Sequence, residues 1–287
     1  MFEEFVETDV AGIHLRHGGE GSPVLLLHGY PQTHVIWSQV APGLRDGGHA
    51  VVCPDLRGYG RSHKPPAGDG FVNYSKRAMA AELVEVMAAL GHERFAVVGH
   101  DRGGRVAYRM ALDHPEVVTR LATLDITPTV EQWDTLRGTA SIGAFHWMLL
   151  AQPHPFPERL IGADPEYFLR TLCGKWAGGT LEENPVLRLN MAHYVAAFVG
   201  DTIRATCDDY RAGATIDVEL DRADRDAGRR IACPMLALWG DPSGQRPSLL
   251  DVWRRWADDV RGHSLPCGHF LAEEAPEATL AALLDFL

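Results

Sequence analysis

Cysteine is too sparse and too scattered to staple this chain. The five residues, Cys53, Cys173, Cys207, Cys233 and Cys267, are odd in number and form no C-x-x-C pair, which excludes a disulfide framework or a thiolate zinc site and fits a reducing cytoplasm. Long apolar runs are missing too: no stretch approaches the about 20 residues needed to span a bilayer. The N-terminal "MFEEFVETDV" is acidic and has no apolar core of a signal peptide, so export is not expected. Positive charge is in deficit, with 27 Lys+Arg against 38 Asp+Glu and a formal net charge of −11. That balance repels nucleic acid and anionic membranes and leaves a small molecule as the expected partner. Internal repeats and low-complexity segments are absent as well.

What the chain does have is enough apolar matter for a core, 46% of 287 residues. Four apolar runs, "PVLLLHG" at 23–29, "HAVVCPD" at 49–55, "RFAVVGHD" at 94–101 and "PMLALWGD" at 234–241, end in polar or glycine-bearing turns, and "TRLATLD" at 119–125 is a weaker fifth. Unbroken runs of this length suit parallel strands buried on both faces. Helices are predicted at 74–91, which closes on a glycine, and at 104–115, which closes on Pro115. The alternation implies a doubly wound α/β sheet. It stops after Asp125 and resumes near Ile231. We read 127–213 as a mostly helical cap inserted into a core of 1–126 and 214–287, with a late helix around "LLDVWRRWADDV", a turn containing "PCGHF" and a closing helix "EATLAALLDFL".

Gly99-His100-Asp101-Arg102-Gly103 has the spacing of a nucleophile elbow, in which small residues let a strand turn sharply into a helix and expose the central side chain. The bland alternative is that Asp101 caps the helix. Against it, His269 lies late in the chain and two acids, Asp125 and Asp241, lie between, which gives the order nucleophile, acid, histidine. Either acid could orient the imidazole. An aspartate nucleophile is ionised at neutral pH and suits displacement at an alkyl carbon, giving an ester that His269-activated water would hydrolyse. The backbone N–H groups of Arg102 and Tyr30 are placed to hold the oxyanion.

The segments "HGYPQTHVIW", "PDLRGYGRS", "GHDRGGRVAYRMALDHP" and "LDITPT" resemble the aspartate-nucleophile branch of the α/β-hydrolases, which includes epoxide hydrolases and dehalogenases. Arg102, with the cap segments "FHWMLLAQPHPFPERLIGADP" and "DDYRAGATIDVELD", resembles the haloacetate dehalogenases within that branch, and the likeness runs over almost the whole chain. It implies an α/β-hydrolase fold, a mostly parallel doubly wound sheet with an inserted helical cap. Carried over residue by residue, it implies Asp101 as nucleophile, His269 as base, Asp125 as orienting acid, Arg102 and Arg105 as the grip on the substrate carboxylate, His146, Trp147 and Tyr210 as the halide pocket, and Trp176 as a pocket wall. The substrate would be a small haloacid such as fluoroacetate or chloroacetate. The resemblance implies no metal and no organic cofactor, and a homodimer. Two other functions remain open: an epoxide hydrolase with Tyr194 and Tyr210 as the activating tyrosine pair, and a non-catalytic small-molecule receptor on the same fold.

Overall fold

A computed structural model describes residues 1–287, the side chain of Ala140 excepted. Eight strands, β1 (Phe2–Glu7), β2 (Gly12–Gly18), β3 (Ser22–Leu27), β4 (His49–Pro54), β5 (Phe95–His100), β6 (Val118–Leu124), β7 (Met235–Gly240) and β8 (Val260–Leu265), form one sheet in the order β1-β2-β4-β3-β5-β6-β7-β8. β2 runs antiparallel to both of its neighbours, and every other pairing is parallel.

Successive strand residues point to opposite faces, and both faces here are covered. Leu25, Leu27, Val97 and Ala237 join one apolar cluster, whereas Val24, Leu26, Val98 and Leu238 join another on the opposite side. This is why these strands read as unbroken apolar runs rather than as alternation. The first cluster continues into Trp147, Leu150, Leu169, Leu187 and Tyr194, from the helices that fill the chain between β6 and β7. Those helices run from Thr129 to Asp226.

The predicted helix at 74–91 forms as Lys76–Ala89, started by the Ser75 side chain accepting from the Ala78 N–H. The one predicted at 104–115 begins earlier, as Asp101–Asp113, and is buried along almost its whole length. Three expectations need correction. β1, at the sheet edge, exposes Phe2 and Phe5, and β2 beside it mixes His14, Arg16 and His17 with its apolar residues, so neither reads as an apolar run. β8 is polar, "VRGHSL", and half open. The helix expected around "LLDVWRRWADDV" is only Leu250–Trp253, since the Ile231 N–H bonds the Trp256 carbonyl and the chain turns there into β8. Among the described residues no helix is long and apolar enough to cross a membrane.

Candidate active site

β5 delivers Asp101 to the C-terminal edge of the sheet, and the backbone there leaves the ordinary region, with Asp101 at φ +44°. A side chain at Gly99 would place its Cβ 2.4 Å from the Gly103 carbonyl oxygen, and one at Gly103 would place it 2.3 Å from that of His28. The two glycines of the elbow are therefore required by close backbone approach. The Asp101 carboxylate does not cap its helix. Its Oδ1 accepts from the Tyr30 N–H at 2.8 Å, and Arg102 follows in the first helical turn, where backbone N–H groups lack intrahelical acceptors. Burial pushes the Asp101 carboxyl up, but the charges of His269, His100, Arg105 and Arg102 outweigh it and hold the group below the usual carboxylate range.

His269 faces this carboxylate, with Nε2 4.0 Å from Asp101 Oδ2. Its Nδ1 donates to Asp125 Oδ2 at 2.6 Å. Asp241 takes no part in this contact, because its carboxylate accepts the backbone N–H groups of Gln245 and Arg246, both at 3.0 Å, within its own loop. That same loop sends the Arg246 guanidinium to Asp125 Oδ1. Burial would lower the His269 imidazole, but the hydrogen bond and charge of Asp125, with Asp101, raise it above its ordinary value. The backbone that carries the ring is held as well: the His269 backbone N–H donates to the Trp176 carbonyl at 2.9 Å, and the His269 backbone carbonyl lies 2.8 Å from His100 Nε2.

The two arginines are not equivalent. Arg105 lines the cavity above Asp101, its Nη1 donating to the Thr127 carbonyl at 2.9 Å, while its buried Nε has no partner. Arg102 corrects the expectation of an open fork. Its Nε and Nη2 both donate to the Asp209 carboxylate at 2.9 Å, and Nη2 also reaches the Asp209 carbonyl at 2.7 Å. Only Nη1 is left, buried and unpartnered. The Arg102 guanidinium stacks 4.2 Å from the Tyr210 ring centre and that of Arg105 4.5 Å from Trp147.

His146, Trp147, Trp176 and Tyr210 line the same cavity of about 430 Å³. Burial pushes the His146 imidazole down to about 3, so it is neutral, and its Nδ1 is buried without a partner. Burial, with Asp101 close by, pushes the Tyr210 phenol well up, so it stays a hydroxyl. Tyr194 is elsewhere. Its hydroxyl donates to Glu273 at 2.7 Å, away from the cavity, so the tyrosine pair expected for an epoxide does not assemble. Sequence reasoning missed Asp209, Arg246, Lys175 and Gln132, of which the last three also line the cavity. Asp209 could have been suspected from its place beside Tyr210; a loop arginine that reaches Asp125 carries no sequence signal.

One cluster with metal-ligating chemistry, His14, His34 and Asp55, lies outside this cavity. Its carboxylate is occupied by both imidazole Nδ1 groups, at 2.9 and 2.8 Å, and by the backbone N–H groups of His34 and Arg61. Those four donors make it a hydrogen-bonded anchor for the turn after β4.

A family profile describing the alpha/beta hydrolase fold matches residues 22–276. Over 299 residues the chain is 42% identical to a fluoroacetate dehalogenase of Burkholderia sp., covering 100% of this chain and 95% of that protein. It is 31% identical over 281 residues to a soluble epoxide hydrolase of Corynebacterium sp. strain C12, with 96% and 93% covered. Among solved structures, an alpha/beta hydrolase from Nostoc sp. PCC 7120 superimposes with a TM-score of 0.94 at 49% identity, covering 99% of this chain and 97% of that one. The epoxide hydrolase CorEH does so with a TM-score of 0.87 at 29% identity, covering 99% and 98%.

Proposed function

The chain belongs to the α/β-hydrolase fold family, and from that premise we propose that this hydrolase removes halide from a small haloacid such as fluoroacetate or chloroacetate. The observation that carries the reading is a pair of buried guanidinium N–H groups, Arg102 Nη1 and Arg105 Nε, left without partners beside the ionised Asp101. A buried charged donor without an acceptor is costly. A substrate carboxylate supplies the acceptor and turns the α-carbon toward Asp101. A neutral epoxide offers a single uncharged oxygen and no negative charge to offset the two guanidinium groups.

The geometry suggests a division of labour between the two carboxylate oxygens. Oδ1 is held by the Tyr30 N–H, so Oδ2 attacks the α-carbon and the bonding pair leaves with the halide. In the ester, Oδ1 becomes the carbonyl oxygen already aimed at its donor. Water then adds to Cγ, giving its proton to His269, whose imidazolium is stabilised by Asp125. The Cγ–Oδ2 bond then breaks, and Oδ2 takes the proton from the His269 imidazolium and departs as the hydroxyl of the hydroxyacid. His146, Trp147 and Tyr210 serve as donors to the leaving halide, which counts most for fluoride, a poor leaving group but a strong acceptor. Trp176 walls the pocket, and residues 127–213 act as the cap that keeps water out.

The same reading places the enzyme in the reducing cytoplasm, where its five free cysteines remain thiols, and pairs it as a homodimer, which light scattering checks. The reaction is tested by halide release from fluoroacetate, chloroacetate and 2-chloropropionate, with diol formation from styrene oxide assayed in parallel. Halide from the acids and no diol is expected. Diol without halide supports the epoxide hydrolase reading, and binding without either product supports a receptor.

A further inference from the structure

Asp209 sits in the helix Asp201–Ala214, immediately before Tyr210, and is fully buried. Its carboxylate collects donors from three other parts of the chain. Arg102 gives two N–H groups from the helix that begins at the elbow, the Tyr59 hydroxyl gives one at 2.7 Å, and Lys76 Nζ binds Oδ1. Lys76 is itself buried, with Asp217 Oδ2 3.6 Å away on its other side. A buried lysine is rare unless paired. Asp209 is thus shared between Arg102 and Lys76, and Asp217 supplies Lys76 with a second carboxylate.

We infer that Asp209, backed by Lys76 and Tyr59, is a positioning residue that fixes the Arg102 fork so that Nη1 alone faces the substrate carboxylate. The inference rests on the haloacid reading and deepens it. Of the five N–H donors that a guanidinium carries, three hydrogen bonds to Asp209 consume those on Nε and Nη2. The planar group is thereby locked, fully buried against the cavity-lining Tyr210, with Nη1 as its one unpartnered nitrogen. A freely rotating fork would lose side-chain entropy on each binding event, whereas this one has lost it on folding. The clamp on the carboxylate is then made from one donor edge of each arginine rather than from two open forks. Since Tyr210 is the next residue along, the same helix turn sets the carboxylate grip and one halide donor in fixed relation.

The test uses the full-length Asp209→Asn variant, with Tyr59→Phe as a milder second variant that keeps the ring and removes one hydrogen bond. Far-ultraviolet circular dichroism establishes that each is folded. Two quantities are measured: kcat and KM with chloroacetate, and the Kd of the unreactive carboxylate glycolate, followed by quenching of tryptophan fluorescence. Asp209→Asn is expected to raise both KM and the glycolate Kd by about tenfold or more, the size of one charge-assisted hydrogen bond, with a much smaller change in kcat. Tyr59→Phe is expected to raise both by about threefold. Unchanged or tighter glycolate binding in a folded Asp209→Asn protein would overturn the inference, as would a fall in kcat at constant KM. If Asp209→Asn does not fold, an unchanged Kd in Tyr59→Phe overturns it. If the parent protein releases no halide but binds glycolate, and the variants bind it more weakly, the clamp stands while the dehalogenation reading fails.

Discussion

His269 leans on Asp125 and not on Asp241: Nδ1 lies 2.6 Å from Asp125 Oδ2, while Asp241 closes its own loop through the Gln245 and Arg246 N–H groups. Both acids follow buried strands and both stand between Asp101 and His269 in the chain, so their order does not distinguish them. Replacing Asp125 with Asn should lower turnover by about a hundredfold or more, whereas Asp241→Asn should cost far less. The sign of the pH effect also follows. Asp125 raises His269, so turnover declines on the acid side as the imidazole is protonated, and Asp125→Asn should move that decline to lower pH. A pH–rate profile checks this; equal losses in the two variants would contradict it.

Replacing His269 with Asn removes the base but leaves Asp101 and its Tyr30 donor in place. The ester should form and persist. Intact-protein mass spectrometry after incubation with chloroacetate should show one carboxymethyl group added, located at Asp101 by peptide mapping. A variant that is inactive and carries no adduct would remove His269 from the hydrolysis step.

Trp147 lines the cavity edge to face with Tyr210, their ring centres 5.8 Å apart. Replacing it with Phe keeps an aromatic surface for Arg105 and deletes the indole N–H. Fluoride release should fall by about tenfold or more relative to chloride release, because the developing fluoride depends most on donors. Parallel losses for the two halides would point to packing instead.

Glu273 is buried without a cation. It accepts from Gln32 Nε2 at 2.6 Å, Asn190 Nδ2 at 2.8 Å and the Tyr194 hydroxyl at 2.7 Å. Burial pushes its carboxyl from 4.5 up to about 7, against the pull of those three donors. Between these values the folded protein binds a proton that the unfolded chain has released, so this group's effect on stability worsens as pH rises through that window. The effect is at most about 3 kcal/mol. Glu273→Gln should flatten the dependence, and the difference in melting temperature between pH 5 and pH 8 should shrink relative to the parent. An unchanged slope would show that Glu273 does not titrate there.

The parts of this molecule that sequence made legible are those with local causes. β3, β4, β5 and β7 lie between two cores and read as apolar runs. The elbow is legible because its glycines answer to backbone contacts within a few residues of Asp101 and to the adjacent strand. β1 and β8 lie at the sheet edges, where burial is too slight to leave a pattern, and β2, though buried over Gly12–Leu15, is interrupted by His14, Arg16 and His17. The fate of the arginines was hidden for another reason. Arg102 shows its type in the sequence, but the partner that takes up most of its fork is 107 residues away, on a helix packed over it. Arg246 likewise reaches Asp125 from a loop 121 residues on. Such side-chain pairings depend on tertiary approach, which no periodicity encodes.

Isotope transfer tests the role of Asp101 as the oxygen donor most directly. One turnover of chloroacetate with excess enzyme in ¹⁸O water should leave the label in the peptide that contains Asp101 and release glycolate whose hydroxyl carries none. Label found in the glycolate hydroxyl, with none in the protein, would mean that water displaced the halide and that no ester formed.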